Sequence, residues 1–167
     1  DHLIMPTKIK SSYPYSESGE FFWPIEAPWP DCWITLSLLG AATSRLRLAS
    51  NIYLAGLRDP FTVARAVATA SAFTNGRVVC GVSAGWLEEE FVAAQVDFRS
   101  RGRRLDEIIA ICRKLWTGDI VEHEGEFFQF ESAILRPAPP APVPVWSGGM
   151  SKPALRRAAT NDGWLGI

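Results

Sequence analysis

The sequence predicts a parallel α/β fold. Short apolar runs of strand length alternate with helical segments: strand, helix, strand, helix, strand, helix, strand. Arg77–Val82 is a short apolar run bounded by glycine, as a strand buried on both faces is. Alternation of this kind implies right-handed crossovers between neighbouring strands. Periodicity alone leaves an open sheet and a closed barrel as alternatives.

Each element has its own warrant. Residues from about Pro6 to Pro30 are rich in Pro, Ser, Tyr and Trp, lack a helical period and read as a long loop. Asp31 is an N-cap for an apolar helix through Leu36, Leu38, Leu39 and Ala42. A strand follows over Leu46, Leu48, Ile52 and Leu54. Asp59-Pro60 starts the next helix, which runs to Phe73 and stops at Asn75-Gly76. Arg77–Val82 is a strand. Trp86–Val96 and Arg103–Trp116 are helices, the second with Leu105, Ile108, Ile109, Cys112 and Leu115 on one face. Asp119–Pro142 breaks the rhythm with a hairpin around Glu124-Gly125-Glu126, which places His123 at the surface, and a stiff Pro run. Val143–Trp146 is a strand, Ser147–Met150 a tight turn, Ser151 the cap of a helix to about Thr160, and Trp164–Ile167 a further strand.

Composition narrows the class. A net charge of −1 carries no basic footprint, which argues against nucleic acid as a partner. No apolar run is long enough to cross a bilayer and no signal peptide opens the chain, so a cytoplasmic location is expected. Cys32, Cys80 and Cys112 are odd in number, lack CxxC spacing and read as reduced core residues. The chain opens at Asp1 without Met and stops in what reads as a strand, so it is expected to be a piece of a longer protein, one partial domain over residues 1–167.

Four motifs can carry chemistry. Ser147-Gly148-Gly149-Met150-Ser151 lies between a strand and a helix, where glycines admit a ligand to the backbone and bare amides at a helix start favour an anion such as phosphate. The plain alternative is a tight turn capped by Ser151. Gly81-Val82-Ser83-Ala84-Gly85-Trp86 ends a strand in small residues that leave room for a flat ring, or it is a glycine turn with Trp86 as a packing anchor. Glu88-Glu89-Glu90 reads as a solvated helix start and, with no His nearby in sequence, not as a metal site. His2 can act as a general acid or base near neutral pH, or as a structural hydrogen-bonding group. Ser50-Asn51 interrupts an apolar strand, which marks a bulge, a ligand contact, or a polar side chain satisfied by backbone.

Taken together, Asp1-His2, Arg45-Leu46-Arg47-Leu48, Asp59-Pro60-Phe61, Asn75-Gly76-Arg77, Gly85-Trp86-Leu87 with Glu89-Glu90-Phe91, Arg101-Gly102-Arg103, and Trp146-Ser147-Gly148-Gly149 with Asp162-Gly163-Trp164 resemble the luciferase-like monooxygenase family. The likeness is to its members that use the deazaflavin coenzyme F420. It implies a (β/α)8 TIM barrel, of which this chain holds the central part, with ligands at the carboxyl ends of the strands. It implies that His2 lies beside the reactive ring and acts catalytically. Asn51-Ile52 falls where the family has a bulge with a non-prolyl cis peptide behind that ring. Ala84, Gly85 and Glu89 would line the cofactor side, and Ser147, Gly148, Gly149, Met150 and Ser151 would hold the cofactor phosphate.

The sequence departs from the F420-dependent sugar-phosphate and alcohol dehydrogenases at Trp86, where they carry Glu. The expected activity is oxidoreduction, F420-dependent hydride transfer with a small organic substrate. The alternatives are a monooxygenase using reduced FMN and oxygen, and a non-catalytic homologue that binds flavin or deazaflavin. The resemblance further implies a homodimer for the full-length protein, and no bound metal is expected. The loop Pro6–Pro30, with Tyr13, Tyr15, Trp23 and Trp29, would form part of a substrate lid.

Overall fold

The computed structural model of the chain describes residues 1–166; Ile167, the last residue of the expected final strand, lies outside the described residues. The elements in order are α1 (Cys32–Ala41), β1 (Leu48–Ala49), α2 (Pro60–Phe73), β2 (Val78–Val82), α3 (Glu88–Ala93), α4 (Arg101–Leu115), β3 (Val121–Glu124), β4 (Gln129–Ala133), β5 (Val145–Gly148), α5 (Lys152–Thr160) and β6 (Gly163–Leu165). Strands β1, β2, β5 and β6 form one sheet in that order, all parallel, with Leu48 beside Val78, Cys80 beside Val145 and Trp146 beside Gly163. β3 and β4 form a separate antiparallel hairpin.

Helix starts follow local chemistry. Asp31 Oδ1 accepts from the Trp33 and Ile34 amides at 2.9 and 3.0 Å, and Asp59 Oδ1 accepts from the Thr62 amide at 2.8 Å, with Pro60 in the first turn. Asn75 and Gly76 take positive φ (53° and 76°) to end α2. The Arg77 guanidinium then donates to the carbonyls of Gly40, Thr43, Leu46 and Thr74, so one side chain satisfies the ends of α1 and α2 together.

The core lies between sheet and helices. Val63, Ala64 and Val67 of α2 and Leu105, Ile108, Ile111 and Cys112 of α4 pack on Val78, Cys80, Val82 and Val145. Every residue of β2 is buried, which is why that strand reads as an unbroken apolar run. Cys80 and Cys112 are buried and Cys32 is half-buried; all three are free thiols.

Some elements differ from expectation. The strand expected over Leu46–Leu54 pairs only at Leu48–Ala49, with a single further bridge from Tyr53 to Val82. Ser50 N–H donates to Val79 O and Tyr53 N–H to Gly81 O, so β1 carries one extra residue against β2. The Ser50 hydroxyl fills the gap, donating to Gly81 O at 3.0 Å and accepting from Gly81 N–H at 2.9 Å. The helix expected over Trp86–Val96 is shortened to α3, because Leu87 (φ −86°, ψ 91°) and Gln95 (φ 56°) leave helical space at its two ends. β5 runs on through Gly148, so the turn starts later than expected. His123 is not a surface residue. Its Nε2 lies 3.1 Å from Glu107 Oε1, and Glu107 also accepts from the Phe127 and Phe128 amides, docking the hairpin on α4.

Candidate active site at the carboxyl ends of the strands

Parallel pairing brings the predicted segments to one edge. β1, β2 and β5 end side by side, so Asn51-Ile52, Ser83–Gly85 and Ser147–Ser151 emerge next to one another. The peptide bond between Asn51 and Ile52 is cis, as the resemblance implied. Asn51 is exposed and Ile52 half-buried. A Cβ on Gly148 would strike Cδ1 of Ile52, so the two chain segments touch through the space that glycine leaves open.

The turn after β5 has the geometry of an anion site. Gly149 takes φ 106°, and Ser151 caps α5 through its hydroxyl. Among the described residues, the amides of Met150 and Ser151 find no acceptor. Met150 and Ser151 are exposed while Gly149 is buried, so the two free donors face solvent. The structure separates the two serines. Ser147 is fully buried and its hydroxyl accepts from Asn161 Nδ2 at 2.9 Å, tying β5 to the segment after α5. Trp164 Nε1–H donates to Gly149 O at 3.1 Å and steadies the same turn. Arg157, buried on α5, forks onto Asp106 and donates to Gly102 O, which anchors α5 on α4.

After β2, Gly85 is required by its surroundings. It has φ 84°, a Cβ there would lie 2.8 Å from the Phe91 ring, and its carbonyl accepts from Arg101 Nε–H. Ala84 is partly buried against the core. The carboxylate of Glu89 is engaged by the long loop: it accepts from the Lys10 and Ser11 amides at 2.6 and 3.1 Å and from the Ser11 hydroxyl at 2.7 Å. Partial burial raises the Glu89 carboxyl, but these hydrogen bonds outweigh it and hold the pKa below the usual carboxylate range.

The acidic triplet proved the least legible motif. Only Glu88 matches the expected solvated helix start. Glu90 is wholly buried between Leu87 and Phe91, with Oε2 2.9 Å from His2 Nδ1 and Oε1 accepting from the Leu3 amide (2.6 Å). The signal was present in the spacing, since Leu87, Glu90 and Phe91 fall on one helical face. The loop so fastened gathers aromatic rings. Trp86 packs against Tyr13, Phe21 and His2 at centroid distances of 5.0, 5.4 and 6.4 Å, and Trp29 meets His2 edge-on at 4.9 Å. The Tyr15 hydroxyl would lie 3.8 Å from a Cβ on Gly149, so the loop reaches the anion turn.

A cleft of about 590 Å3 lies elsewhere, lined by Arg58, Asp59, Gln95, Asp97, Arg103 and Glu126 among others, and by none of the predicted site residues. Its cations are already engaged: Arg58 pairs with Asp1 and Arg103 with Glu126. Among the described residues no His, Cys, Asp and Glu cluster could hold a metal ion, and no helix is long and apolar enough to cross a membrane.

The sequence model of the family described as luciferase-like monooxygenase matches residues 15–166. The chain is 36% identical over 165 residues to the uncharacterized protein Rv0940c of Mycobacterium tuberculosis (strain ATCC 25618 / H37Rv), a match covering 99% of this chain and 57% of that protein. It is 33% identical over 127 residues to the FMNH(2)-dependent dimethylsulfone monooxygenase of Pseudomonas fluorescens (strain Pf0-1), covering 74% of this chain and 35% of that one. The solved structure of the F420-dependent secondary alcohol dehydrogenase in complex with an F420-acetone adduct superposes with a TM-score of 0.73 at 25% identity, over 84% of this chain and 44% of its own. The chain therefore spans little more than half of Rv0940c, and its four parallel strands are part of a barrel. By profile, by relatives and by fold, the chain belongs to the luciferase-like monooxygenase family.

Proposed function

We propose that this chain supplies the cofactor-binding part of an oxidoreductase that uses coenzyme F420 for hydride transfer with a small organic substrate. The observation that carries the reading is the turn Gly149–Ser151, with free amides at Met150 and Ser151, set beside Ile52 where β1, β2 and β5 end. The residues present fit such a cofactor. The amides of Met150 and Ser151 hold its phosphate, and the absence of side chains at Gly148 and Gly149 allows the approach. Ile52 backs the ring, Ala84 and Gly85 flank it, and His2 exchanges a proton with the substrate or hydrogen-bonds the ring. The loop before Asp31, pinned by Glu89 and Glu90, covers this region and excludes water. When bound, the deazaflavin provides the carbon that takes or gives a hydride.

Similarity to an FMNH(2)-dependent monooxygenase favours a second reading, in which the same turn holds FMN. Titrating the full-length protein with F420 and with FMN, followed by cofactor fluorescence, tests both. Saturable binding of F420 supports the first and preference for FMN the second. Binding of neither sinks both readings.

A further inference from the structure

We infer that Glu90 is a positioning residue for His2: it fixes the imidazole as the Nδ1–H tautomer and leaves Nε2 as its one nitrogen open to a ligand. The inference rests on the placement of His2 at the reacting centre proposed above. It starts from a group that folding ought to avoid. A carboxylate with no exposed surface needs its lone pairs filled. All three donors that fill Glu90 come from one stretch of loop: His2 Nδ1 at 2.9 Å on Oε2, and the Leu3 and Ile4 amides at 2.6 and 3.4 Å on Oε1. With Glu90 as the acceptor at both oxygens, the proton between Glu90 and His2 belongs to Nδ1. The two backbone amides keep the carboxylate from rotating, so its direction, and with it the plane of the imidazole, is set by the chain.

The other ring nitrogen has a different fate. Among the described residues Nε2 has no hydrogen-bond partner. Around the imidazole stand the edge-on rings of Trp29, Phe21 and Trp86, at 4.9, 6.3 and 6.4 Å, and none of these contributes a polar atom to Nε2. The His2 side chain is 8% exposed and that of Glu90 0%, so bulk water competes little for the pair. A neutral His2 in this state presents a lone pair at Nε2: it accepts a proton from a bound molecule and passes none to it. Two tautomers of histidine are close in energy in water, whereas a hydrogen bond to a buried carboxylate favours one by on the order of tenfold or more.

Two-dimensional long-range 1H–15N NMR of the 15N-labelled chain reads the tautomer directly, at a pH where the ring is neutral. The expected result is a His2 spin system with Nδ1 protonated and Nε2 bare. In Glu90→Gln the two amides of Leu3 and Ile4 hold the carboxamide oxygen, so the NH2 faces Nδ1 and donates to it. The tautomer then reverses to Nε2–H, on the order of a tenfold change in the ratio. A merely structural Glu90 would leave the ratio unmoved. An Nε2–H tautomer in the unaltered chain, or an unchanged ratio in Glu90→Gln, overturns the inference, and the first of these needs no variant to fold. F420 and FMN titrations on the same samples keep the two readings apart. Loss of all cofactor binding with Nδ1–H intact condemns the proposed function and spares the Glu90–His2 assignment, while binding with Nε2–H does the reverse.

Discussion

Ile52 occupies the space that a side chain on Gly148 would need: a Cβ built there collides with Ile52 Cδ1 and lies 3.2 Å from its Cγ1. The bulge after β1 and the anion turn after β5 are therefore one packed unit, although almost 100 residues of chain separate them. Gly148→Ala is expected to cost about 1–3 kcal/mol of stability through overpacking and to weaken cofactor binding. Urea denaturation checks the first and fluorescence titration the second. Adding Ile52→Val should recover part of both, since neighbouring substitutions couple.

Arg157 holds α5, and hence the turn Gly149–Ser151, onto α4 through Asp106 and Gly102 O. Arg157→Ala removes that anchor but leaves Asp106 able to rehydrate, because its side chain is more than half exposed. A loss of about 1–3 kcal/mol is expected, with a drop in cofactor affinity larger than for an exposed control such as Arg156→Ala. Equal effects of the two substitutions would dissociate α5 from the turn's function.

The loop's attachment should fail at acid pH. Glu89 has a folded pKa held below the ordinary carboxylate value, so its contribution is complete above the unfolded pKa and is lost as pH falls through the folded one. Trp fluorescence, dominated in this region by Trp23, Trp29 and Trp86, is expected to shift below the usual carboxylate range, as the carboxylate takes up a proton and releases Lys10 and Ser11. In Glu89→Gln that acid transition should flatten; an undiminished transition would assign it to another group.

Thiol reactivity should follow burial. Desolvation pushes the thiols of Cys80 and Cys112 far up, and raises Cys32 to about 11, aided by the nearby Asp31 charge. At pH 8 iodoacetamide should leave Cys80 and Cys112 untouched in the folded chain and modify Cys32 slowly. All three should react in urea, as intact-mass measurement would show.

Much of the fold was legible because its causes are local. Asp31, Asp59 and Ser151 cap helices with their own side chains, and Asn75-Gly76 ends one through backbone freedom; each acts over a few residues of chain. The apolar run of β2 announced burial on both faces. The candidate phosphate turn could be read for the same reason: glycines, a capping serine and a helix start are neighbours in sequence.

What lay beyond reach was every decision made by contact across the chain. Glu90 looked like a solvated charge until the loop brought His2, Leu3 and Ile4 to it, 86 to 88 residues away. Ser147 and Ser151 are alike as residues, yet the hydrogen bond from Asn161 buries one while the other stays at the open mouth. The sequence by itself determined which segments are strands and which are helices, where the capped helices start and which turn can present bare amides, because those depend on neighbours a few residues apart. Only the tertiary structure decided which charges are buried and which polar atoms stay free, because desolvation is set by whatever distant segment comes to rest on a group.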